Sequence, residues 1–183
     1  RLDRELKKLE KTTHKRYAHP HNPLLLSVRS GSAITLPGMM SSFLNVGMNE
    51  EIADHLSRKA GFGWAAWDCY RRFLQFWGMS EGLSRDFFDE IIDRFKEKYG
   101  ISKKLYFTPD QMRDIALAYK KELENGGIAV EDDLREQLKK AVLKVIQSWH
   151  SPRAKLYRHE MNISDKWGTA IVVQSMVFGN LNE

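Results

Sequence analysis

Arg29 ends a short apolar run, "LLLSV" at 24–28, and is followed by Ser30, Gly31 and Ser32. Those types in that order suit the binding of a phosphate. A guanidinium stays charged at every physiological pH and offers five donors in a planar fork that matches phosphate oxygens. Small residues after it present backbone N–H groups with little hindrance, and glycine lets an anion come close. An ion pair with a neighbouring helix is the ordinary alternative for an arginine at a strand end; the Ser-Gly-Ser sequel favours the phosphate. Farther on, "LPGMM" at 36–40 adds Gly38, with Met39 and Met40 as adaptable apolar cover. A stretch so rich in glycine and small hydroxyls loses much freedom when ordered. The loop from Gly31 to Met40 is therefore expected to move when empty and to cover a ligand when filled.

Other chemistry finds less support. The six histidines (His14, His19, His21, His55, His150 and His159) show no metal-ligand spacing. His19 and His21 read as a solvent-facing pair in a proline loop. The single cysteine, Cys69, excludes a disulfide framework and reads as a small hydrophobe in an aromatic helix. No GxxxxGK[ST] loop is present, which argues against a P-loop kinase. The net charge of +5 on 183 residues, with a pI near 9.3, suits a polyanionic ligand, but taken alone it is better accounted for by an ordinary solvated surface. No stretch approaches the length of uncharged residues that a membrane span needs.

These residues need elements to position them. Leu2, Leu6 and Leu9 share a face of an amphipathic first helix, which "HPHNP" ends. A buried strand is expected over Leu24–Arg29. From Asn49 the pattern turns helical: "NEEIADHLSRKAG" stops at Gly61, and "WAAWDCYRRFLQFWG" carries Trp67, Tyr70, Leu74 and Trp77 on one face and stops at Gly78. "SRDFFDEIIDRFKEKYG" runs from an N-cap at Ser84 to Gly100. Thr108-Pro109 with Gln111 is a capping-box opening for another helix, ended by "NGG". Leu134, Leu138, Ala141, Val142, Val145 and Trp149 recur at helical spacing, Ser151-Pro152 opens a short helix through Glu160, and a β-branched run predicts a strand over Thr169–Val177. The class is α+β, with residues 1–48 and 135–183 as the α+β part and 49–134 as an inserted helical subdomain.

Several blocks together carry a resemblance. "PLLLSVRSGSAITLPGMMSSFLNVG", "YRRFLQ", "SWHSPRAKLYR" and "WGTAIVVQSMVFGN" occur in the order and near the spacing found in the nucleotide-binding domain of pyruvate phosphate dikinases. More distantly, they are similar to phosphoenolpyruvate synthases. Ser32, Leu36 and Ser41 depart from the residues common in the family, but the arginine and glycines stand. The resemblance implies an incomplete ATP-grasp domain with ATP between α+β subdomains. It implies phosphoryl transfer to a histidine on another domain, and then to pyruvate on a further domain of the same full-length chain. It makes Arg29 the contact to ATP phosphate and Ser30, Gly31, Ser32, Gly38 and Met39 the loop over the phosphates. Arg72 would be a second arginine at the phosphate site, and Gln174 and Met176 would lie on a strand near the adenine. Magnesium ligands are expected outside this chain, as are the activating lysine and the other catalytic domains. A cytoplasmic, homodimeric full-length enzyme without membrane attachment is the implied setting. Two readings of other classes stand beside it: a basic nucleic-acid module using the aromatic helices at 64–99, and a partner-docking module.

Overall fold

The structure, a computed structural model, describes residues 2–31 and 36–177. Its elements follow the chain as α1 (Leu2–Thr13), β1 (Leu26–Ser30), β2 (Ser42–Val46), α2 (Glu50–Ser57), α3 (Gly63–Ser80) and α4 (Arg85–Tyr99). After a single 3-10 turn at Lys104–Tyr106 come α5 (Pro109–Asn125), α6 (Leu134–Ser148), α7 (Pro152–Glu160) and β3 (Ile171–Ser175). Among the described residues, 49–134 holds helices and turns and no strand.

The caps show why several helices begin and end where they do. The Ser84 hydroxyl accepts the Phe87 N–H, and Gly100 ends α4 in the left-handed conformation at φ +65°. Thr108 and Gln111 form the reciprocal capping box at the start of α5, with Pro109 in the first turn. Gly78 behaves differently from its expected role as a stop. Helix α3 continues through it to Ser80, and Gly78 is buried where Phe88 and Leu123 close in. A Cβ there would sit 2.6 Å from atoms of both side chains, so the glycine serves helix packing rather than helix termination. The turn falls at Gly82, at φ +101°.

The sheet has the order β2-β1-β3 and is antiparallel throughout. Strand β2 is an element the sequence pattern did not announce. It pairs with β1 through a bulge: one residue, Ser27, lies between the paired Leu26 and Val28, while two lie between their partners Val46 and Phe43. Asn45 takes the left-handed conformation there, at φ +58°, and its amide donates to the Cys69 carbonyl of α3 at 3.1 Å. One continuous hydrophobic cluster joins the sheet (Leu26, Val28, Phe43, Val46) to α3, α5 and α6. Tyr70, Phe73 and Trp77 are buried in it, with Trp77 edge-on to Phe43 at 5.9 Å. The aromatic spacing of α3 therefore builds core, and this removes the stacking platform that a nucleic-acid reading would use. Arg158 fixes α7 from inside: it is buried, donates to the Trp149 carbonyl at 2.6 Å and to Asp165 at 2.7 Å, and lies over the Trp149 ring.

Candidate nucleotide site

Strand alternation decides what β1 presents. Arg29 pairs with Val172, and Ser27 with Gln174. Residues opposite one another across an antiparallel pair share a face, so Ser27, Arg29, Val172 and Gln174 lie on one side of the sheet. Arg29 and Gln174 are diagonal neighbours there, and both are exposed. Leu26, Val28 and Ser30 lie on the other face, with Val173 and Ile171, which line an apolar groove with Leu2, Leu6, Leu9 and Val142. Ser30 thus points away from Arg29.

Burial along β1 stops at Val28: Leu24 to Val28 are all buried, and Arg29 is exposed. The expected cost of a buried guanidinium is therefore absent. Among the described residues no side chain bonds or pairs with the Arg29 guanidinium. The alternative, an ion pair with a neighbouring helix, is not seen among the described residues. A strand end thus carries a cation whose side-chain donors meet no partner among the described residues.

Gly31 has a role other than admitting an anion. Its N–H donates to the Ala170 carbonyl at 2.7 Å, extending the β1–β3 ladder, and a Cβ on it would meet Val172 at 2.6 Å. Its amide is already committed, and its lack of a side chain serves strand packing. Ser32 lies outside the described residues. At Leu36–Met39 the chain makes a tight turn: the Met39 N–H donates to the Leu36 carbonyl at 3.2 Å, with Pro37 second and Gly38 third at φ +67°. Proline and a positive-φ glycine in those places are the signature of a type II turn. Leu36 is buried, the Ser41 N–H donates to the Ser148 hydroxyl at 3.0 Å, and that hydroxyl also approaches the Met40 sulfur at 3.8 Å. The expectation of a loop mobile from end to end is narrowed by these anchors. In hydrogen exchange without nucleotide, the Met39 and Ser41 amides should exchange slowly, and adding nucleotide should change them little. Fast exchange at both would restore a lid that includes them.

Met176 donates its N–H to the Leu25 carbonyl at 2.8 Å and packs, half-buried, on the core cluster. Arg72 is not on the sheet. It sits on α3, half-exposed, with Nε 2.8 Å from Asp68 Oδ2. That carboxylate was not singled out in the sequence, nor were its two other partners, Arg71 and Lys104. Arg71 Nε and Lys104 Nζ bond Asp68 Oδ1 at 2.8 and 3.0 Å, and Arg71 continues to Gln75 and Tyr119. The signal available was the spacing Asp68, Arg71, Arg72, which places all three on neighbouring turns of one helix. Burial works to raise the Asp68 carboxyl, but Arg71 and Lys104 outweigh it and hold the group below the usual carboxylate range. Burial and the adjacent Arg71 hold Lys104 below the usual lysine range despite its bond to Asp68.

Burial pushes the Cys69 thiol up to about 11, so it stays protonated at neutral pH. His19, His21 and His55 lie edge to face, with ring centres 5.8 and 5.0 Å apart. Among the described residues no group of three or more His, Cys, Asp or Glu could hold a metal ion. No helix among the described residues is long and apolar enough to cross a membrane.

The profile of the pyruvate phosphate dikinase AMP/ATP-binding domain matches residues 1–182. A pyruvate, phosphate dikinase of Rickettsia bellii is 41% identical over 179 residues, covering 97% of this chain and 20% of that protein. The chloroplastic pyruvate, phosphate dikinase 1 of Zea mays is 42% identical over 164 residues (88% of this chain, 17% of that protein), and the Clostridium symbiosum enzyme is 38% identical over 179 (96% and 20%). The chain spans about a fifth of the length of these relatives. With a match across nearly its whole length, the chain belongs to the family of pyruvate phosphate dikinase AMP/ATP-binding domains.

Proposed function

We propose that this chain is the ATP-binding part of a dikinase that converts pyruvate, ATP and phosphate to phosphoenolpyruvate, AMP and diphosphate through a phosphohistidine on another domain. The observation that carries the reading is Arg29, an exposed guanidinium on a rigid central strand that no described residue neutralises. Such a group is preorganised for an incoming phosphate, because the strand rather than the ligand fixes its backbone. Gln174, on the neighbouring strand, and Met176, just after it, would lie near the adenine. Arg72 would supply a second cation. Ser30 and Gly31 contribute by shaping the strand end, since the Ser30 side chain faces away and the Gly31 amide is already bonded. Residues 49–134 form the helical insertion in this scheme; their purely helical makeup supports it, and their core is continuous with that of the sheet. Magnesium would be held by groups beyond the described residues, and the intact enzyme would be a cytoplasmic homodimer. The dikinase names of the relatives favour this reading over a phosphoenolpyruvate synthase.

A direct test is turnover. The chain alone should form no phosphoenolpyruvate from pyruvate, ATP and phosphate, because phosphoryl transfer also needs the metal, the phosphohistidine and the pyruvate site that the proposal assigns to other parts of the enzyme. The intact protein should form it readily. Product from the isolated chain, or none from the intact protein, would overturn the proposal.

A further inference from the structure

Three cations converge on one carboxylate in the helical block. Asp68 is buried, with its side chain 5% exposed. Its two oxygens have separate partners among the described residues: Oδ1 takes Arg71 and Lys104, and Oδ2 takes the Nε of Arg72. Arg71 is as deeply buried as Asp68 and is held again by Gln75 and Tyr119, so the Oδ1 side of the carboxylate is fixed from three directions. Arg72 differs. Half its side chain is exposed, and among the described residues its two terminal amino groups have no partner. An arginine on a helix surface ordinarily samples many rotamers, and that freedom is lost on binding. Here a rigid buried acid grips its inner edge and leaves the outer fork free. All three cations share this one carboxylate, and Asp89 and Asp93, with Arg85 and Lys96, line the pocket beside Arg71 and Lys104.

We propose that Asp68 is a positioning residue: it anchors Arg72 through Nε and so presents the free guanidinium edge to phosphate. The proposal rests on the reading of Arg72 as part of the phosphate site. Arg71 and Lys104 hold the carboxylate in place, and Arg72 meets the ligand. An ordinary surface pair at this i, i+4 spacing would do no more than stabilise the helix slightly. The buried, doubly held acid is what separates the two accounts.

A double-mutant cycle in the intact dikinase tests it, with kcat/KM of the ATP half-reaction as the readout and the phosphoenolpyruvate half-reaction as the control. Arg72→Ala is expected to lower the ATP half-reaction about a hundredfold and Asp68→Asn about tenfold. In the Arg72→Ala background, Asp68→Asn should cost less than about twofold more, because the residue it acts through is gone. Asp68→Asn leaves Arg71 without its counter-charge and risks the fold, so Asp68→Glu is the second variant. It keeps the charge but moves the carboxylate by a methylene, and it should show the same loss and the same dependence on Arg72. Equal losses in both backgrounds would overturn the positioning role while leaving Arg72 in the site. No loss with Asp68→Glu, at full phosphoenolpyruvate half-reaction, would overturn it too. No effect of Arg72→Ala itself would instead remove Arg72 from the site, and the proposal with it.

Discussion

Replacing Arg29 with alanine should slow phosphoryl transfer from ATP by about a hundredfold or more in the intact enzyme, while the exchange between phosphoenolpyruvate and the phosphohistidine continues at its usual rate. Removing one charge-assisted donor from a developing phosphoryl charge costs about 3 kcal/mol, which at room temperature is that factor in rate. The structure makes the experiment clean. The Arg29 side chain is exposed and makes no hydrogen bond or ion pair among the described residues, so truncating it leaves the backbone ladder of β1 intact. Surface changes of that kind stay within about 0.5 kcal/mol of stability. Arg29→Lys should recover only part of the rate, because an ammonium keeps the charge but not the planar fork. Rapid-quench measurement of the two half-reactions separates the outcomes. Equal loss in both, or a lowered melting temperature, would show that Arg29 is structural.

Local signals were the most legible in the sequence. The caps at Ser84, Gly100 and Thr108 satisfy helix ends with groups a few residues away, so the spacing alone reveals them. Arg29 was legible because the apolar run before it stops abruptly. What the sequence hid depends on contacts made at a distance. Strand β2 is five residues interrupted by an asparagine; it is a strand because Phe43 and Val46 are buried against β1, and because Asn45 can take the left-handed bulge. Gly78 looks like a helix stop until Phe88 and Leu123, ten and forty-five residues later, are found pressing on it. Gly31 looks like a phosphate glycine until β3 arrives beside it. The Asp68 cluster needs Lys104 from a turn beyond α4. In each case a local rule was overruled by packing that only the folded chain supplies.

The same long-range logic makes Gln137 the most consequential single side chain for stability. It is fully buried on α6. Its carbonyl accepts the Gly47 N–H at 2.7 Å, and its amide donates to the Met48 and Glu131 carbonyls at 2.9 and 3.1 Å. One side chain thus satisfies three backbone groups from the turn after β2 and the segment before α6. Gly47 cannot relax toward another partner, because at φ +97° it lies against the Tyr17 ring and the Leu24 carbonyl. Gln137→Leu keeps the approximate volume and orphans all three groups. With each buried orphan costing about 1–3 kcal/mol, a loss of about 3 kcal/mol or more is expected, a large part of the stability of an ordinary domain. Urea unfolding followed by tryptophan fluorescence measures it. Gln137→Glu adds a sign test. A carboxylate still accepts from Gly47 but faces two carbonyls, so its folded-state pKa is raised. Its penalty is therefore present above the ordinary glutamate value of about 4.3, and it shrinks as pH falls through the raised value toward that one. Gln137→Glu should thus regain stability relative to Gln137→Leu on acidification, because the protonated acid can donate to one carbonyl. A loss below about 1 kcal/mol for Gln137→Leu would mean that water or a local shift replaces the amide, and that the sheet and α6 are joined by apolar packing alone.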